Sequence, residues 1–418
     1  MEEINQNSQT FQDFNSDIYK PNNEDDLREI IKYCFKKNLP IEIVGRGTKI
    51  RIGKKLQCAK TLDMSNISGI IDYKPEELYI TVKAGTPIQT IQNELKKNNQ
   101  HLAFEPVNFS EIFQKDSNEG TIGGTLSCNF SGSRRFKVGS ARDHILGFKG
   151  YNGKGEKIKS GGTVVKNVTG YDLSKLITGS FGTLLVLSEI TLKVLPLQSD
   201  TKTIIISGLG LEHAIEIMGS AISSSNDPSG AVFYPDSLRD NFVFNDLTHR
   251  GSITAIRVEG SKTSTEQRIN NLIQDLSLIE KNITVLDSVQ SEIFWEETRC
   301  LKVFSKNQKN ILRAVIPTSE TINLLNRLKS FHPTYFIDWG GSLIWIELDY
   351  LSNQKIEQIR KRILVADGYL TVIKSPENVK LSSEIFTIDP IKFKISQNIK
   401  KSFDPKRIFN PGKMYTGI

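Results

Sequence analysis

Between residues 23 and 38 the chain reads NEDDLREIIKYCFKKN, and its apolar positions Leu27, Ile30, Ile31, Cys34 and Phe35 recur every three to four residues. That period predicts an amphipathic helix, with acids in its first turn and lysines in its last to suit the backbone dipole. IEIV (41–44) then predicts a short strand running into a loop that Gly45 and Gly47 open and Gly53 closes. ELYITVKAG alternates as a strand does. The following TPIQTIQNELKKNNQ predicts a helix with Thr86 as N-cap, Pro87 at the first helical position and Gln89 completing a capping box. From Glu105 to Pro196 the chain is rich in glycine and strand pattern, and Asn152-Gly153 marks a hairpin turn.

Pro196 and the polar LQSDTK after it suggest a domain boundary. Beyond it KTIIISG, SITAIRVEG, NILRAVIP and SLIWIELD alternate with helical STEQRINNLIQDLSLIEKN and SETINLLNRLKSF, the rhythm of a second sheet covered by helices. A last helix, DPIKFKISQNIKKSF, leads to the tail DPKRIFNPGKMY, and no repeat of solenoid or propeller length is visible. The polar opening MEEINQNSQT reads as a frayed end. The fold class expected is α+β.

At 418 residues, 38% hydrophobic and 24% charged, the chain is long enough for two or three domains that fold without disulfides. Its four cysteines form no C-x-x-C, which argues against a zinc knuckle or an iron–sulfur ligand set and for buried cytosolic thiols. The acidic, polar start and the lack of any apolar run near the roughly 18 residues of a membrane span predict a cytoplasmic protein, peripheral at most. The net charge of +7 comes from lysines spread along the chain, so a solvated surface explains it better than nucleic acid does.

Two glycine bends could bring bare backbone against a ligand. GRGTK (45–49) follows a buried strand, and its amides, with Arg46 and Lys49, suit a pyrophosphate; GTIGG (120–124) offers a second bend. Either alone reads equally well as a tight turn. Neither fits the dinucleotide fingerprint, since GRGTKIRIG runs on as extended chain, and no G-K-[ST] closes a P-loop.

The order of these pieces, IEIVGRGTKIRIG, TIGGTLSCNFSG, GSARDHILGF, GGTVVKNVTGYDLSKLITGSFGTLLVLSEITLKVLP and the terminal FDPKRIFNPGKMY, resembles the PCMH-type FAD-binding superfamily of vanillyl-alcohol oxidase and p-cresol methylhydroxylase. Within it, FIDWGGSLIW (336–345) adds a likeness to the FAD-binding E subunits of bacterial glycolate oxidases (glycolate dehydrogenases). The resemblance implies a two-subdomain FAD-binding domain over 20–197 after a flexible 1–19, an α+β cap domain over 198–383, and a segment 384–418 returning to the flavin. It implies noncovalent FAD, because Thr48 stands where some members attach it to histidine. Gly45, Arg46, Gly47, Thr48 and Lys49 would face the pyrophosphate. Thr121, Ile122, Gly123 and Gly124 would line the ring, with Asn129 and Gly132 behind and Asn410 a polar flavin contact. It further implies oxidation of glycolate to glyoxylate alongside a homologous flavin D subunit and an iron–sulfur F subunit. The glycines and aspartates near Gly139, Asp143, Gly170, Tyr171, Asp172, Gly179 and Gly182 would be framework.

Oxidising a 2-hydroxy acid needs a cation for the carboxylate and a base or metal for the hydroxyl proton. Related enzymes carry H-x-G-D-G-N-x-H where this chain reads IDWGGSLIW, and His101, His144, His213, His249 and His332 form no ligand pair, so no metal is expected. The catalytic residues stay unassigned. Asp338 reads as a strand-end cap or ion pair before it reads as a lone base. Arg134 and Arg135 read as surface or subunit contacts before a carboxylate site, and Trp295 and Arg299 as core edge or site wall. The chemistry leaves two alternatives open: a self-sufficient oxidoreductase for another alcohol or hydroxy acid, and a flavin-free structural subunit.

Overall fold

Asn23 accepts a hydrogen bond from the Asp26 amide at 2.9 Å and so starts the first helix, Glu24–Lys37, which ends on left-handed Asn38. Leu27, Ile30, Ile31 and Cys34 are sealed from solvent, while Phe35 is half-buried beneath Lys406. The computed structural model describes residues 14–58, 60–113, 120–163, 170–242, 250–277, 282–304 and 309–418; the frayed end, the VVKNVT of residues 164–169 and His249 lie outside them. The buried helix face joins three parallel strands in the order Ile18–Tyr19, Lys60–Asp63, Ile41–Val44.

A second layer is an antiparallel sheet of five strands, in the order Ile70–Lys74, Tyr79–Lys83, Val186–Lys193, Ile145–Tyr151, Lys157–Gly161. Its core takes in Ile88, Ile91 and Leu95 of the helix Ile88–Lys96, and Ile122 and Leu126 of the helix Ile122–Cys128. The expected capping box at Thr86 does not form. Pro87 is the N-cap, and the Thr86 hydroxyl bonds the Lys83 carbonyl at 2.6 Å and the Gly69 backbone instead, closing the turn before the helix. The Asn152-Gly153 hairpin is present: Asn152 Oδ1 accepts from the amides of Lys154 and Glu156, both at 3.0 Å.

Between Lys193 and Asp200, across Pro196, the chain passes to an eight-stranded antiparallel sheet. Its order resolves into two copies of one βαββαβ unit. The first runs Asp200–Ser207, helix Leu211–Ser223, Gly230–Tyr234, Ile253–Gly260, helix Lys262–Ser277, Ile283–Leu286. The second runs Asn310–Val315, helix Thr321–Leu328, Thr334–Asp338, Leu343–Leu348, helix Asn353–Val365, Tyr369–Lys374. The units join through their second strands at one residue pair, Phe233 with Ile337.

The last helix, Pro390–Phe403, starts on the Asp389 side chain. The chain then returns to the first layer, where the Ile41 amide donates to the Ile408 carbonyl at 2.8 Å and Ile408 and Phe409 enter the first core. Lys400, 1% exposed at its side chain, locks this return. Its ammonium donates to the Thr183 carbonyl at 2.6 Å and to the Phe409 carbonyl and Asp404 carboxylate at 2.8 Å.

Candidate functional site

The strand Ile41–Val44 ends on Gly45, whose backbone presses against Thr121: a Cβ at position 45 would lie 2.3 Å from the Thr121 hydroxyl. Only glycine permits that approach. Thr121 in turn accepts from the Gly124 amide at 3.3 Å and starts the helix Ile122–Cys128. The two glycine bends, 75 residues apart in sequence by their first members Gly45 and Gly120, become facing walls of one cleft with about 790 Å³ of empty space.

The returning tail supplies another wall through Asn410 and Lys413, and Phe181 and Gly182 lie beside it. Asn410 holds this wall with both ends of its amide, accepting from the Ile43 amide at 2.8 Å and donating to the Phe181 carbonyl at 2.7 Å. Its amide is thus held by backbone at both ends, which fastens the tail to the cleft that Asn410 lines. Lys413 donates to the Ile50 carbonyl at 2.7 Å and to Glu42 at 3.3 Å. Glu42 is the one carboxylate among the lining residues, against Arg46, Lys49 and Lys413, so the cleft favours an anion.

Of the residues singled out in the sequence, Gly45, Arg46, Gly47, Thr48, Lys49, Thr121, Gly123, Gly124 and Asn410 line this cleft. Three do not. Ile122 is fully buried in the second core. Asn129 ends its helix in the left-handed conformation and accepts from the Arg142 amide at 3.1 Å. Gly132 is at the junction with the eight-stranded sheet, its carbonyl taking the Trp339 indole N–H at 3.0 Å. Sequence reading missed Glu42, Phe181, Cys128 and Lys413. Burial pushes the Cys128 thiol up to about 11, which leaves it a poor nucleophile.

Arg134 is no surface contact. It meets Glu105 at 3.0 Å and Glu259 at 2.9 Å; Arg257 meets Glu105 at 2.8 Å and the Ser229 hydroxyl at 3.0 Å. This buried group of two arginines and two glutamates spans the junction of the layers. Burial raises the Glu105 carboxyl, but Arg257 and Arg134 outweigh it and hold it below the usual range. Nearby His101 is brought down to about 4 by burial and by Arg134, so it is neutral at pH 7. Trp295 donates to Thr203 at 2.9 Å beneath Arg257, and Arg299 bonds Glu296 at 2.9 Å and the Pro106 carbonyl, which makes both parts of the core edge. Asp338, 4% exposed, accepts from the Trp339 amide at 2.7 Å and Ser133 at 2.8 Å, the cap expected of it. Asp143 and Asp172 cap the turns at Ser140 and Lys175. Among the described residues no group of three or more His, Cys, Asp or Glu side chains converges on a metal position.

Residues 17–161 match the FAD binding domain family. Over 94% of its length the chain is 29% identical to the glycolate oxidase subunit GlcE of Escherichia coli (strain K12), covering 97% of that protein. It is 24% identical to the glycolate oxidase subunit GlcD of Bacillus subtilis (strain 168) and 22% identical to a D-lactate dehydrogenase of Anaerostipes hadrus, covering 95% and 93% of this chain and 88% and 87% of theirs. Among solved structures, an alkyldihydroxyacetonephosphate synthase shares the fold over 95% of this chain and 77% of its own, with a TM-score of 0.66 at 15% identity.

Proposed function

We propose, from the premise that this chain is an FAD-binding oxidoreductase of the PCMH-type fold, that it is a flavin subunit of a 2-hydroxy acid dehydrogenase complex oxidising glycolate to glyoxylate. The observation that carries the reading is the cleft between the two glycine bends, too narrow at Gly45 for any side chain and lined by three cations and one carboxylate. A pyrophosphate suits the Gly45–Lys49 loop, whose Gly47 has a left-handed φ of 68° and whose Arg46 and Lys49 offset phosphate charge. The ring suits the Thr121, Gly123 and Gly124 wall, with Phe181 excluding water. Asn410 and Lys413 hold the far wall. Bound there, FAD supplies the two-electron acceptor for hydroxy acid oxidation.

The subunit role rests on the turn IDWGGSLI. Ile337 and Ile344 face each other across paired strands, both fully buried, so the turn offers no ligand or base from those positions. Substrate turnover then falls mainly to a homologous flavin D subunit, with an iron–sulfur F subunit passing electrons on and this chain relaying or assisting. None of the described helices is long and apolar enough to cross a membrane. We place the protein in the cytoplasm, meeting the inner membrane only through its partners. The boundaries 20–197, 198–383 and 384–418 serve as its FAD-binding, cap and returning segments.

The test is direct. The purified chain is expected to be yellow and to release FAD on denaturation, and Gly45→Val to empty it more than tenfold while the circular dichroism spectrum is kept. A colourless wild-type protein would refute the cofactor and favour the structural-subunit reading. Glycolate turnover by the chain alone, at rates matching the native assembly, would favour the self-sufficient enzyme. Purification from native cells without a second flavoprotein or a cluster protein would sink the complex.

A further inference from the structure

Arg313 lies in the strand Asn310–Val315, where the eight-stranded sheet meets the Phe130–Arg135 stretch of the FAD-binding side. Its guanidinium is 4.9 Å from the Trp339 ring centre, 5.6 Å from Phe130 and 5.8 Å from Trp345. Arg135 sits over the same Trp339 ring at 4.8 Å. Two cations thus share one indole.

No carboxylate pairs with either: Asp143, whose charge acts on Arg135, gives its Oδ2 to the Ser140 amide and hydroxyl. Among the described residues, no hydrogen bond or ion pair reaches either guanidinium, whereas the neighbouring Arg134 and Arg257 are both paired with glutamates. Asp338 is an acid whose charge acts on Arg313, and it directs its oxygens to Ser133 and the Trp339 amide. Aromatic faces offset part of a buried charge but take none of the five N–H donors of a guanidinium. Burial and Arg135 together bring the Arg313 guanidinium down to about 9, the mark of a cation short of partners. Both side chains are only half-buried, and among the described residues none of their nitrogens is a sealed, unpartnered polar atom, so these donors keep some exposure.

Two unspent forks between aromatic walls match a planar anion with two or three oxygens, as arginine matches carboxylate. The place matters too: the Phe130 ring is 6.3 Å from that of Phe181, and Phe181 lines the cleft between the glycine bends. We propose that Arg313 and Arg135, both packed against the Trp339 ring, bind the carboxylate of a small 2-hydroxy or 2-oxo acid beside that cleft. The anion site stands on the geometry alone; naming the acid rests on the function proposed above.

Trp339 and Trp345 make the site self-reporting. In the full chain as purified, tryptophan fluorescence is expected to respond saturably to glycolate and to glyoxylate, and much more weakly to chloride and inorganic phosphate. Arg313→Gln and Arg135→Gln should each weaken glycolate binding at least tenfold with flavin content unchanged, and Arg313→Lys should recover part of it. The surface variant Lys392→Gln should titrate as the wild type does. Without added carboxylate, Arg313→Gln should melt no lower than the wild type, since it removes a buried charge without a counter-ion; an arginine placed only for structure would show a clear loss. No saturable response, equal or tighter binding of phosphate or chloride, or wild-type titration by both glutamine variants would overturn the proposal. Absorbance at the flavin band separates the two readings. Yellow protein that ignores glycolate defeats this site and spares the cofactor, and colourless protein that binds glycolate through Arg313 does the reverse.

Discussion

Asp338 is a buried acid whose hydrogen bonds fall short of its burial. Desolvation raises its carboxyl to about 7, against the opposing donors Trp339 N–H and Ser133 O–H. Its unfolded value is about 3.9. The folded state therefore holds the proton longer, and the stability this gives is present below about pH 4 and lost as pH rises through 7. Asp338→Asn should remove that loss. The gap between its unfolding free energy and that of the wild type should widen from pH 4 to pH 8 by roughly 2–4 kcal/mol, and parallel curves from urea titrations at several pH values would contradict it. Gly45 and Gly124 make a second contrast: alanine at 124 meets only Thr121 Oγ1 at 3.4 Å, an ordinary contact, whereas alanine at 45 collides with it. The glycine bends were legible because glycine marks where backbone must come close. Arg313 was not, since in the alternating NILRAV an arginine reads as a residue facing solvent.

Elements fasten one another here through groups that no local pattern announces. Lys400 sits mid-period in a helix of many lysines, and nothing in KISQNIKKSF distinguishes it from its solvated neighbours. It is nonetheless the buried cation that ties the helix Pro390–Phe403 to the Thr183 loop and to Asp404. Lys400→Met would leave Asp404 charged, buried and without its cation. A loss of about 3–5 kcal/mol is expected from chemical denaturation, with weaker flavin retention because Asn410 and Lys413 are carried by the same return. Thr86 teaches the converse. TPIQ satisfies the capping pattern, but the hydroxyl was required six residues earlier in structure than in motif, at the Lys83 turn, and tertiary demand overrode local preference. Helix and strand periods were otherwise plain, as at Glu24–Lys37 and Asp200–Ser207, because their apolar faces are continuous.

At the scale of the whole molecule, the Glu105, Arg134, Arg257 and Glu259 group joins residues up to 154 positions apart and holds the FAD-binding side to the eight-stranded sheet. Arg257→Met would leave two buried glutamates to one arginine. Cooperative melting should give way to an earlier, broader transition, with a cost on the order of 3–5 kcal/mol, and an unchanged melting curve would show the group to be dispensable. The sequence rhythm announced a second sheet covered by helices. It did not announce that the sheet is one unit built twice, because the two copies share strand order and direction while their side chains differ, and only pairing reveals strand order.

The cleft is finished last. Its first wall is laid down at Gly45, but the strand behind that wall is bonded by Ile408 and Asn410, and Lys413 closes the side. A ribosome adding about 5–20 residues per second takes on the order of tens of seconds to pass between these positions. Throughout that interval the nascent protein lacks the wall that Asn410 and Lys413 supply. Chains broken before this point would lack the wall that Asn410 and Lys413 supply, and are expected to hold flavin more weakly than the full chain and to fall sooner to proteolysis.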